Sequence, residues 1–193
     1  MTLDLPDGAT IHELQSHRDA RGGLTEGFRS SWSGAVMRQF NIVVSEPNVL
    51  RGVHLHFDHH DHLVMVKGRG IVGLHDCREA SSTFGLAATV ALENTDVQLT
   101  VPPGVAHGFW FPAGGILTYG LDAEWSMADE LGCRWDDSEL GIDWGAFGDA
   151  APEASPDGPR LSTRDATAGS LSLMIEQYAH GISRSPVGSA TDH

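Results

Sequence analysis

The chain of 193 residues can enclose one hydrophobic core, and its 40% hydrophobic and 20% charged residues are ordinary for a globular protein. A formal net charge of -14 argues against nucleic acid or an anionic membrane surface as partner. No run of about 18 apolar residues predicts a membrane helix, and Met1–Thr10 lacks the basic and apolar regions of a signal peptide. Cys77 and Cys133 form no Cys-x-x-Cys pair, so two reduced thiols in a cytoplasmic protein are expected.

The first thirty residues are mixed and polar, with a turn at Asp19-Ala20-Arg21-Gly22-Gly23. From Val36 to Ala123 short β-rich runs follow: 36–44, 49–57, 63–66, 71–75, 88–92, 97–101 and 116–121. Turn clusters separate them at Lys67–Gly70, Glu93–Asp96, Pro102–Gly104 and Pro112–Gly115. Many short strands with Gly and Pro punctuation, and no helices between them, predict an antiparallel sandwich or barrel. Asp143–Pro159 is rich in Gly, Ala, Pro and Asp and reads as a loop; Leu171–Ala179 reads as a terminal helix ended by Gly181. One domain over residues 1–182 and a frayed tail over 183–193 are expected.

Chemistry concentrates in Arg51-Gly52-Val53-His54-Leu55-His56-Phe57-Asp58-His59-His60-Asp61-His62, which holds five of the 11 histidines. Strand alternation puts His54 and His56 on one face, so two imidazoles enter a barrel interior together if that face is the inner one. A third, His107, follows the turn in Pro102-Pro103-Gly104-Val105-Ala106-His107-Gly108-Phe109. Of the 12 basic residues 11 are arginine, suited to forked contacts with phosphate, and Lys67 is the sole lysine.

In order along the chain stand Asp19-Ala20-Arg21-Gly22 with Glu26 and Phe28, Gln39-Phe40-Asn41, Leu50-Arg51-Gly52-Val53-His54, and Asp76-Cys77-Arg78 through Ser81-Ser82-Thr83-Phe84-Gly85. They are followed by Pro102 to Phe109, Tyr119, Trp135-Asp136-Asp137 and Leu161-Ser162-Thr163-Arg164-Asp165. In these segments the chain resembles the dTDP-4-dehydrorhamnose 3,5-epimerase family from about Ile11 to Ser170. The resemblance implies an all-β, double-stranded β-helix (cupin, or jelly roll) with a short C-terminal helix. It further implies a homodimer whose N-terminal segment reaches a neighbouring subunit, no cofactor, and an isomerase acting on a nucleotide-linked 4-keto-6-deoxy sugar, with dTDP as the nucleotide.

Epimerisation beside a ketone is proton removal on one face and return on the other, and the remover must titrate near neutrality. The resemblance gives that role to His54, with Asp165 holding its other ring nitrogen and Tyr119 as the opposite proton donor. It assigns substrate binding to Arg21, Glu26, Gln39, Asn41, Arg51 and His107, with Trp125 stacking on the base. One departure stands out. Where the family carries a lysine for the enolate, this chain has a shorter loop with Asp61 or His62 at that place, leaving a protonated His56 or His62 as substitute cation. The same loop allows a rival reading, a metal-dependent cupin with His54, His56, Asp61 and His107 as an N3O ligand set. The rival requires His54 to be ligand and free base at once, so the expected metal is none. A sugar-nucleotide binding protein without turnover is the remaining alternative.

Overall fold

In a computed structural model that describes residues 4–146, 152 and 157–184, the β-rich runs close into two antiparallel sheets. The strands are β1 (Thr10–Glu13), β2 (Ser16–Asp19), β3 (Gly22–Thr25), β4 (Gln39–Ser45), β5 (Val49–His56) and β6 (Asp61–Asp76). They continue as β7 (Ala87–Glu93), β8 (Val97–Val101), β9 (Val105–Phe111), β10 (Gly115–Leu121) and β11 (Glu130–Gly132). Short helices α1 (Ser30–Ser33) and α2 (Thr163–Ala166) and the longer α3 (Leu171–Arg184) complete the order. One sheet runs β1-β8-β6-β10-β4 and the other β7-β6-β9-β5-β11, so β6 belongs to both. This is the expected double-stranded β-helix with its C-terminal helix.

Three local expectations are corrected. Lys67–Gly70 is no turn but the middle of the sixteen-residue β6, whose first half pairs with β8 and β10 and whose second half pairs with β7 and β9. The strand changes sheets there across a register irregularity. Gly68 has φ +86, and a Cβ on it would lie 2.9 Å from the Gly114 carbonyl oxygen. The polar N-terminal segment contains strands: the Asp19–Gly23 turn is the tip of the β2–β3 hairpin, and β1 pairs with β8. Gly181 does not end α3, which runs on to Arg184. A Cβ on Gly181 would overlap the Phe57 ring, so the glycine permits close approach of helix to barrel. Residues 147–151 and 153–156 of the expected loop, and 185–193 of the expected tail, lie outside the described residues.

Alternation along the strands divides the core in two. Val72 and Leu74 of β6 and Phe109 and Phe111 of β9 fill the space between the sheets. Val53 and Leu55 of β5, Ile71 of β6 and Trp110 of β9 point the other way and are covered by Leu171, Met174 and Tyr178 of α3. Those helix positions recur at i, i+3 and i+7, a single stripe. Capping seats the helix, as Leu171 N–H donates to Asp137 Oδ2 at 3.0 Å and Leu173 N–H to Ser170 Oγ at 3.2 Å. With the outer face of β5 packed under helix, its inner face is left for chemistry.

Candidate active site

Because Val53 and Leu55 face α3, His54 and His56 face inward, as the His-x-His spacing predicts. Gly52 makes this possible. It lies in a register irregularity of β5 against β9, has φ +105, and a Cβ on it would stand 2.9 Å from Gly108 Cα and from the His107 carbonyl oxygen. Only glycine allows the two strands to meet there. The inner face borders a cavity of about 40 Å³ lined by one or two groups from each element: His54 and His56, Asp61 of β6, His107 of β9, Tyr119 of β10 and Glu130 of β11.

His54 Nε2 lies 2.7 Å from Asp165 Oδ1. Asp165 is positioned by the start of α2, where its N–H donates to the capping Ser162 Oγ at 3.1 Å, and its carboxylate also accepts the Gly52 N–H. Burial pushes the Asp165 carboxyl up, but the hydrogen bond and charge of His54, with the Ser162 and Gly52 contacts, outweigh it and hold it below its ordinary value. An ionised carboxylate only accepts, so the proton of a neutral His54 sits on Nε2 and its Nδ1 lone pair is free. That nitrogen is 3.8 Å from Glu130 Oε1.

Tyr119 comes from the sheet opposite β5 and pairs across β4 with Asn41. Its phenol is pushed up to about 12 by burial and by the charges of Asp61 and Glu130, against the opposing pull of Arg51 and a hydrogen bond with Asn41. It is therefore a proton-carrying phenol at neutral pH. Gln39 Nε2 donates to Asn41 Oδ1 at 3.0 Å, and Gln39 Oε1 accepts the Trp125 N–H at 2.8 Å. Arg51 Nε donates to Ser45 Oγ at 3.1 Å, and Trp125 is 40% exposed above the cavity. Gln39, Asn41 and Trp125 thus adjoin Tyr119, with His107 on the same cavity, whereas Arg51 reaches Ser45, at the other end of β4 from Gln39. Arg21 and Glu26 do not line that cavity: Arg21 pairs with Asp19 on the exposed β2–β3 hairpin, and Glu26 pairs with Arg29.

Glu130 escaped the sequence reading. Strand β11 sets it opposite His56, its carboxylate accepts Trp125 Nε1–H at 2.7 Å, and Arg164 pairs with it from α2. A three-residue strand has no periodicity to betray it, and no quoted segment contains Glu130. Arg164 stood in view beside Asp165, without a stated role.

The four-residue metal set is corrected as well. Ligand atoms of His56, Asp61 and His107 lie within 4.8 Å of one another, all three buried, whereas His54 is engaged by Asp165 and is not part of the group. Asp61 Oδ2 has His107 Nε2 at 3.5 Å, His56 Nε2 at 3.6 Å and His59 Nε2 at 3.7 Å. Burial pushes the Asp61 carboxyl well up, helped by Glu130 and Asp122. Burial likewise pushes His56 and His59 down and His107 down to about 4. Burial disfavours a charged His56, and His62 faces the other side of β6, with Nδ1 3.0 Å from Thr100 Oγ1 and its ring against Phe28. His62 borders a separate groove of about 570 Å³ that reaches none of the His54 group.

The sequence profile of the dTDP-4-dehydrorhamnose 3,5-epimerase family matches residues 3–172. A dTDP-4-dehydrorhamnose 3,5-epimerase of Mycobacterium tuberculosis is 34% identical over 180 residues, 88% of this chain and 85% of that protein. Among solved structures, the 3'-monoepimerase ChmJ of Streptomyces bikiniensis with dTDP-quinovose superposes with a TM-score of 0.77 at 27% identity, over 93% of this chain and 91% of that one. The epimerase RmlC of Legionella pneumophila with dTDP-4-keto-L-rhamnose gives a TM-score of 0.77 at 26% identity, over 89% and 92%.

Proposed function

The chain belongs to the dTDP-4-dehydrorhamnose 3,5-epimerase family, and from that premise we propose that it epimerises a dTDP-linked 4-keto-6-deoxy sugar with His54 as base. The observation that carries this reading is the 2.7 Å contact of His54 Nε2 with Asp165 Oδ1, beneath a cavity that Tyr119 enters from the facing sheet. The ketone at C4 acidifies the neighbouring C–H bond. His54 Nδ1 takes that proton, the electron pair moves into an enolate, and Asp165 stabilises the imidazolium so formed. Tyr119 O–H then returns a proton to the same carbon from the opposite face, and solvent restores both groups.

Gln39, Asn41 and Arg51 are the binding groups in this reading, with Trp125 offered to the base and His107 lining the cavity. Arg21 and Glu26 act from a second copy of the chain, consistent with their exposed position on the N-terminal segment. A homodimer is supported by the apolar outer face of β4, where Phe40, Ile42 and Val44 are all exposed. A single cytoplasmic domain accords with two buried free thiols and with no helix among the described residues long and apolar enough to cross a membrane.

The test is incubation with a dTDP-4-keto-6-deoxy sugar in heavy water. Deuterium uptake beside C4 with inversion is expected, lost in His54→Ala; a folded protein that neither exchanges nor inverts refutes the proposal. Whether one carbon or two exchange is read from the same spectrum.

A further inference from the structure

An enolate forming in this cavity needs positive charge near its oxygen, yet among the described residues that line it there is no lysine or arginine. What the wall does hold is a buried knot of nitrogen and oxygen around Asp61. The distances of 3.5 and 3.6 Å from Asp61 Oδ2 to the Nε2 atoms of His107 and His56 are too long for N–H···O hydrogen bonds. They match instead the edge of a coordination tetrahedron, which is about 3.4 Å for ligands about 2.1 Å from a central ion.

The tautomer of His107 sharpens the point. Its Nδ1–H donates to the Val105 carbonyl at 3.2 Å, so in the neutral ring Nε2 bears a lone pair aimed at a carboxylate oxygen. A ring lone pair and a carboxyl oxygen therefore converge on one buried point, which an ion or a shared proton can occupy. An imidazole that gives its one N–H to a backbone carbonyl and turns the other nitrogen to the ion is also the usual arrangement of a metal-ligating histidine. His56 Nδ1 has no hydrogen-bond partner among the described residues and stands 3.7 Å from Glu130 Oε2.

We propose that His56 Nε2, His107 Nε2 and Asp61 bind a divalent first-row transition ion whose open positions face the cavity, where it serves as the Lewis acid for the enolate oxygen. Two imidazoles and one carboxylate suit zinc, iron(II), manganese or nickel. Such an ion does not consume the base, because His54 is held by Asp165 and the three-ligand group forms without it. His59, with Nε2 at 3.7 Å from the same oxygen and no hydrogen-bond partner among the described residues, borders the group without completing it. The ion's binding rests on geometry alone; its catalytic role rests on the epimerase reading.

The experiment strips the full chain with a chelator and titrates it with Co(II) and Zn(II), following visible d–d bands and calorimetry, then assays deuterium exchange in the stripped and reloaded protein. One ion per chain is expected, with affinity lowered more than about 100-fold in Asp61→Asn and in His107→Ala and unchanged in His62→Gln. Exchange should fall at least about 30-fold on stripping and return on reloading. Failure of the wild-type chain to bind an ion stoichiometrically overturns the site and leaves a proton shared by Asp61 and His107 as the answer. Stoichiometric binding with undiminished exchange in the stripped protein overturns the Lewis-acid role. Stoichiometric binding with no exchange in any form upholds the metal site and sinks the epimerase reading instead.

Discussion

Replacing Asp165 by Asn removes one charge and almost no volume, which isolates the carboxylate that holds His54. The native contact, at 2.7 Å, has the length of a charge-assisted hydrogen bond, and such bonds contribute about 1.5–3 kcal/mol. That energy matters mainly after His54 has taken its proton, when imidazolium faces carboxylate, so its loss falls on the transition state. At about 1.4 kcal/mol per decade this predicts a fall in kcat of about 10- to 150-fold. A second effect adds to it. Asn can turn its amide toward His54 Nε2 and donate, which moves the ring proton to Nδ1 and abolishes the base, and a wrong tautomer in a comparable His–Asp pair costs about 10⁴-fold. The fold should survive, since Asn Oδ1 can still accept the Gly52 N–H that the native carboxylate takes. The assay is deuterium wash-in at saturating substrate, with the melting temperature measured alongside. An expected loss of about 10²- to 10⁴-fold in kcat, with KM within a few-fold, would be refuted by a folded variant exchanging within about threefold of the native rate.

Tyr119→Phe should separate the half-reactions, with deuterium entering while configuration is retained; normal inversion in that variant would assign the donor role elsewhere. Gly181→Ala, which should stabilise an ordinary helix by up to about 1 kcal/mol, should here destabilise by about 1–3 kcal/mol through overlap with the Phe57 ring, read as a lower melting temperature that Phe57→Ala partly restores. Acid stability should depend on Asp76: burial pushes this carboxyl up, but bonds from Arg78, Thr83 and Ser81 overcome that and lower it from 3.8 to about 2. A carboxyl held down in the folded chain contributes stability that is full above pH 3.8 and lost as pH falls toward 2. Denaturant titrations across that window should show about 2 kcal/mol disappearing, and an equally steep loss in Asp76→Asn would assign it to other groups.

Much of this protein is local information. Val97–Val101 matches β8 residue for residue, β5 and β10 differ from their expected bounds by a residue at one end and β7 by one at each end, because alternation and turn chemistry act over a few residues. The shared face of His54 and His56 was legible for the same reason, since any strand puts i and i+2 together. The link from His54 to Asp165, 111 positions apart, was available only through resemblance, because no local rule joins them.

Where neighbouring residues compete for one place, local rules are silent. Asp61 and His62 both stood where a cation was wanted, and in a strand adjacent residues face opposite sides, so a shift of one exchanges them. What decides is the pairing of β6 with β8 and β10, Asp61 against Val101 and Leu121, and His62 against Thr100 and Gly120. That register turns Asp61 inward to His56 and His107 and leaves His62 on the far groove. Glu130 is brought in the same way, by a three-residue strand that pairs with the edge of β5. The sequence determined most of the strands and turns from β4 to β10, and the inward pair of histidines, through periodicity within each segment. That Asp61 and Glu130 join the site was decided by register between segments far apart in the chain, and that is a property of the folded barrel alone.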